Sequence, residues 1–104
     1  MNKEELIRFA ARRANCTQPV MRLCLDALIS TIVDNVSVGE DVTIMNFGVF
    51  KRERREPKIG RNPHTNEEVP IPARDVPVFR AGKEFKKATQ EQADASLSRR
   101  LGRD

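Results

Sequence analysis

Residues 51–77 read KRERREPKIGRNPHTNEEVPIPARDVP. Six cations (Lys51, Arg52, Arg54, Arg55, Lys58, Arg61) fall within eleven residues, against Glu53 and Glu56, and five of the chain's six prolines lie in the segment. Its large aliphatics are Ile59, Val69, Ile71 and Val76, too few to build a core. The extended character of residues 52–62 and 69–71, joined by the turn-forming NPHTN, predicts two strands of a hairpin arm that projects from the body. Pro70, Pro72 and Pro77 suit strands with open edges and would be poor in a central strand, because proline donates no ladder hydrogen bond. An arm without an apolar face gains its order from a partner, and a cationic arm is best matched by phosphates.

The flanking segments read as its base. Asn2 with Glu5 three residues later is a capping pattern, so a helix is expected from Lys3, with Leu6, Ala10 and Ala14 on one face. Thr17 caps a second helix, with Pro19 tolerated in its first turn. In it Val20, Leu23, Cys24, Ala27, Leu28, Ile32 and Val36 repeat at helical spacing until Gly39 stops it. Leu25, Ile29 and Val33 widen that stripe beyond what one short helix can cover, which points to a partner subunit. After Gly39 the period becomes two: Val42 and Ile44, a tight turn at Asn46–Gly48, then a return strand from Val49 and Phe50. Val78 and Phe79 bring the chain back to this sheet. Gly82 precedes a short helix from Lys83 with Phe85 inward, and residues 91–104 read as a polar, disordered tail.

The chain has 104 residues, room for one domain, with a net charge of +4. That charge is unevenly spread: residues 1–50 carry −1, residues 51–90 carry +5 and the last fourteen balance. Polyanion binding is therefore to be sought in the middle of the chain. No apolar run is long enough to span a membrane, and the N-terminus lacks a signal-peptide pattern, so a cytoplasmic chain without a membrane or small-molecule partner is expected. Catalysis finds little support. His64 is the one histidine and sits at the arm tip, Cys24 lies on an apolar stripe, and the glycines are scattered, so no triad, metal site, phosphate loop or cofactor is expected.

Pro63 at the tip of a cationic arm is an apolar wedge of the kind that minor-groove binders push between base pairs. With NFGVF (Gly48, Phe50), GRNP with Thr65 (Gly60 to Pro63) and VPVF followed by Gly82-Lys83, the chain resembles the bacterial histone-like HU and integration host factor (IHF) family of DNA-bending proteins, from Met1 to about Ala88. Asn46 and Asn66 depart from that pattern, standing where the family usually has glycine.

The resemblance implies an α+β fold: an intertwined dimer of two N-terminal helices, a three-stranded antiparallel sheet with an extended β-hairpin arm, and a short C-terminal helix. Within a domain spanning 1–90, residues 1–39 would dimerise, 40–81 would form sheet and arm, and 82–90 the last helix. It implies DNA contacts from Lys3, Arg52, Arg54, Arg55, Lys58, Arg61, Asn62, Pro63, Arg74, Arg80, Lys83 and Lys86. The shared dimer core would hold Leu6, Leu28, Ile32, Val36, Ile44, Phe47, Phe50 and Phe79. The expected partners are double-stranded DNA and a second copy of the chain, or a paralogue in a heterodimer. The expected place is the nucleoid, and the expected role is bending and compacting DNA with little sequence specificity.

Two alternatives stand beside it. Pro70-Ile71 and Ala73-Arg74 resemble the sequence-preferring IHF branch, whereas MNKEELI and VPVF resemble HU. From a different class, a dimeric module could grip an acidic protein or RNA with the same arm.

Overall fold

The computed structural model describes residues 1–100. The chain divides into two compact units, Met1–Asn35 and Val36 onward.

In the first unit, α1 (Lys3–Ala14) starts as its sequence dictates: the Asn2 side-chain oxygen accepts from the Glu5 amide at 2.9 Å. Asn15 ends it in the left-handed region at φ 55°, and the Cys16 amide donates back to the Ala11 carbonyl at 3.0 Å, which satisfies a carbonyl the helix leaves open. Chain direction then turns through 111° into α2 (Gln18–Ser37). Thr17 caps it, its hydroxyl accepting from the Val20 amide at 3.3 Å. Arg22 forks onto Glu4 and Lys3 reaches Asp26 at 2.7 Å, which ties the two helices together. No single described helix is long and apolar enough to cross a membrane.

The second unit opens in the last turn of α2, which Gly39 closes at φ +88° with its amide donating to the Val36 carbonyl at 3.0 Å. Strands β1 (Val42–Ile44), β2 (Gly48–Arg55) and β5 (Arg74–Ala81) form an antiparallel sheet in the order β1-β2-β5. Strands β3 (Lys58–Arg61) and β4 (Glu68–Ile71) pair as a separate two-stranded ladder. The pairing Arg55↔Arg74 resumes as Lys58↔Ile71 in the same register, so the arm is one hairpin interrupted by Glu56-Pro57 and Pro72-Ala73. A proline on each side of the gap removes the donors that would have joined the two ladders. Asn46 adopts φ 65° and Asn66 φ 60°, so at both departures from glycine the residue best able to occupy the left-handed region does so.

Phe47, Phe50, Phe79 and Phe85 cluster, with ring centroids 4.8 Å apart for Phe50–Phe79 and 5.2 Å for Phe47–Phe79. Gly48 makes that approach possible. A Cβ there would lie 2.5 Å from the Arg80 carbonyl oxygen and 2.6 Å from the Phe79 ring. The Gly82 amide donates to the Phe47 carbonyl at 2.8 Å and so starts α3 (Lys83–Arg100) against the cluster.

One expectation needs revision. The last helix, α3, is not short: it continues through residues 91–100, where the sequence predicts a disordered tail. No glycine or proline interrupts 83–100, and its alanines, glutamines and Leu97 favour a helix without an apolar stripe to advertise it. Residues 101–104 of that tail lie outside the described residues. The residues expected in a core shared between two copies are mostly open in the single chain. Leu6, Leu28, Ile44, Phe47 and Phe79 are exposed, Ile32 and Phe50 are half-buried, and Val36 is buried. Among the described apolar residues only Ile7, Ala11 and Val36 are buried.

Replacing Gly48 with alanine should destabilise the fold by about 1–3 kcal/mol, because the clash falls on backbone and an aromatic ring. Urea denaturation followed by circular dichroism measures it. The arginine hydrogen bond to Glu4 holds that carboxyl below its ordinary value near 4.5. A folded-state pKa below the unfolded one adds stability that is present above the ordinary value and lost as pH falls through the folded one. Glu4→Gln should therefore flatten the fall in thermal midpoint between about pH 5 and pH 3.

Candidate nucleic-acid interface

Residues paired across an antiparallel ladder share a face, and successive residues alternate. The register Phe50↔Phe79 therefore places Phe50, Arg52 and Arg54 with Phe79, Pro77 and Asp75 on the aromatic side. Val49, Lys51, Glu53 and Arg55 share the outer side with Arg80, Val78, Val76 and Arg74. The outer face thus carries Lys51, Arg55, Arg74 and Arg80 against the single acid Glu53.

This division separates the twelve residues assigned to DNA. Arg52 lies on the aromatic side and is already engaged: its Nη1 donates to the Ser37 carbonyl at 3.0 Å, covering the open C-terminal end of α2. Arg54 lies within 3.7 Å of Glu56 and 3.9 Å of Asp75. Neither shares the outer face with Arg55 and Arg74. Lys51, absent from the assignment, does. Counting outward from an inward Phe50 is the signal that finds it.

Arg55 and Arg74 stand directly opposite across the ladder. Like charges in that position repel, and an anion between them relieves the repulsion. With Glu56, Lys58, Ile71 and Pro72 they line a cleft of about 340 Å³ at the root of the arm.

The arm tip is built by Asn62. Its amide donates to the Glu67 carbonyl at 3.0 Å, and its carbonyl accepts from the Asn66 amide at 2.7 Å. Its side-chain oxygen accepts from the His64 amide at 2.9 Å. These bonds hold Pro63 in an exposed turn at the extremity. Arg61 lies just below it, donating to the Asn66 carbonyl at 3.2 Å with Glu68 at 3.7 Å. Lys83 and Lys86 are exposed on the first turns of α3. Lys3 belongs to the first unit and is paired with Asp26. The arrangement thus joins Arg55, Lys58, Arg61, Asn62, Pro63 and Arg74 along one hairpin, with Arg80 on the same sheet.

The chemistry on offer is recognition of phosphate by clustered cations beside an apolar tip. Among the described residues, no three histidine, cysteine, aspartate or glutamate side chains come together as metal ligands would. Cys16 and Cys24 are free thiols.

Arg52→Ala should lower the thermal midpoint by about 2–6 °C, since it uncovers the end of α2. A melt followed at 222 nm measures it.

The family described as bacterial DNA-binding protein matches residues 1–90. The DNA-binding protein HU of Clostridium pasteurianum is 45% identical over 86 residues, which are 83% of this chain and 94% of the relative. That of Buchnera aphidicola is 41% identical over 91 residues, 88% of this chain and 99% of the relative. Among solved structures, an HU–DNA cocrystal from Anabaena superposes with a TM-score of 0.80 at 43% identity, covering 86% of this chain and 97% of that one. HU from Thermotoga maritima gives 0.61 at 31% identity, covering 86% and 98%. Arm, sheet and capped helices are thus those of a family of DNA-binding proteins and not of enzymes, and the chain belongs to it: the bacterial DNA-binding proteins of the HU and integration host factor kind.

Proposed function

We propose that the protein is a dimeric, histone-like architectural protein of the bacterial nucleoid that binds duplex DNA in the minor groove and bends it with Pro63. The observation that carries this reading is the exposed Pro63 at the extremity of a hairpin lined by Arg55, Lys58, Arg61 and Arg74. The Anabaena relative was crystallised with DNA, and the chain superposes on it across the arm-bearing domain.

The mechanism follows from the charges. Each cation that meets a phosphate releases a condensed counterion, so affinity is largely electrostatic and falls steeply with salt. Arg55, Lys58 and Arg74 grip the backbone at the arm's root, and Lys51, Arg80, Lys83 and Lys86 extend the path over the sheet and α3. Arg61 and Asn62 flank Pro63 in the minor groove. HU and IHF are themselves standing examples of wedge insertion, for which unstacking costs about a few kcal/mol per step, offset by contacts that only bent DNA allows. The minor groove distinguishes mainly A·T from G·C, so sequence preference arises from how easily a step deforms.

The dimer follows from the same physics that leaves the single chain short of a core. Leu6, Leu28, Ile44, Phe47 and Phe79 are exposed in it, and a second copy supplies the cover that a domain of this size cannot. A homodimer is the simplest assembly.

The test is a gel shift with linear duplex, four-way junction and single-stranded RNA at two salt concentrations, together with a FRET bend assay. Wild-type protein should prefer the junction and duplex over RNA and lose affinity steeply with salt. Pro63→Ala should keep duplex affinity within a few-fold and reduce the bend. Unchanged bending removes Pro63 from the mechanism, and preference for RNA favours a protein or RNA module instead.

A further inference from the structure

The outer face of the sheet holds four cations and one acid; that acid's ion pair is with Arg80, and the charges of Arg55 and Lys51 also reach it. Arg80 lies beside Val49 in the ladder but reaches along the strand to Glu53, four residues further on. Its Nε donates to Glu53 Oε1 at 3.1 Å, and its Nη2 donates to the same oxygen. Lys51, Arg55 and Arg74, on the same face, make no ion pair among the described residues. Glu53 is 24% exposed where Arg80 is 62% exposed, so the carboxylate is the fixed partner and the guanidinium the one that solvent reaches. The Arg80 hydrogen bond also holds the Glu53 carboxyl below its ordinary value.

We propose that Glu53 is an affinity-limiting residue of the interface: it occupies Arg80 in the free protein, and a DNA phosphate must displace it before Arg80 can contribute to binding. This rests on the reading of the outer face as a duplex-binding surface and adds how that surface is tuned. A guanidinium that trades a carboxylate for a phosphate gains one ionic contact and loses another. Arg80 therefore adds little net affinity, and the chain binds as though it carried one phosphate contact fewer than its cations suggest. Removing the carboxylate charge restores that contact.

Four chains test it: wild type, Glu53→Gln, Arg80→Ala and the double variant. Each is measured by fluorescence anisotropy on one duplex across a salt series, with a thermal melt to confirm folding. Glu53→Gln should bind about fivefold tighter at about 0.1 M salt, and its plot of log affinity against log salt should steepen by about 1.8 per dimer, about 0.9 for the phosphate contact each chain adds. In the Arg80→Ala background the same substitution should change affinity less than about twofold and leave the slope unmoved. Equal tightening in both backgrounds overturns the proposal, because Glu53 would then act only by repelling phosphate. A wild type that binds while Glu53→Gln moves neither readout also overturns it. A wild type that binds no duplex sinks the functional reading and this inference together.

Discussion

Strand β2 sits in a definite phase, with Phe50 across from Phe79, and nearly every functional property depends on that phase. A slip of one residue in either strand would carry its side chains to the opposite face. Lys51 and Arg55 would then lie among the phenylalanines, and Arg52 would lose the Ser37 carbonyl. The phase is held by volume. Gly48 leaves room for the Phe79 ring and the Arg80 carbonyl, and the Phe47, Phe50, Phe79 and Phe85 rings close on one side only. Aromatic packing on one face thereby fixes which residues share the other, so the grouping of Lys51, Glu53, Arg55, Arg74 and Arg80 is a consequence of where four rings sit.

This explains what could be read in advance. Helix boundaries were legible because they are local: Asn2, Thr17 and Gly39 act on amides and carbonyls within four residues. The arm was legible from the proline pattern and the NPHTN turn, and the residues of its tip from the GRNP run. The facing of individual arginines was not, because KRERRE contains no apolar alternation that could mark one side as inward. The sequence therefore groups Arg52 and Arg54 with Arg55 and leaves Lys51, one of the six arm cations, outside the expected DNA contacts. The pairing of Glu53 with Arg80 was invisible for a further reason, since it joins residues 27 apart that only the ladder brings together. The length of α3 escaped because it rests on intrinsic propensity, which leaves no periodic stripe to read.

The prolines at the root of the arm divide labour between its two halves. Pro57 and Pro72 interrupt the hydrogen bonds where the sheet ends, yet the register continues past them from Arg55↔Arg74 to Lys58↔Ile71. The arm keeps the alternation of the sheet while losing its ladder support at one point. Beyond that point it holds itself by four pairs and by the bonds around Asn62. A segment so lightly supported is cheap to reorient against a duplex, while the tip that carries Pro63 keeps its own shape.

Electrostatics then separates two kinds of cation on one hairpin. Arg55 and Arg74 are set against each other across the ladder, a pairing of like charges that an anion between them would relieve. Arg80 and Arg61 have carboxylates beside them, Glu53 and Glu68, so a phosphate at either must compete. In the proposed interface the first kind would contribute more to affinity than its charge alone, the second kind less. Net charge is therefore a poor measure of grip. On that proposal, binding at the root of the arm would draw on a cost already present in the unbound fold, whereas on the sheet floor and near the tip it would meet a partner already satisfied.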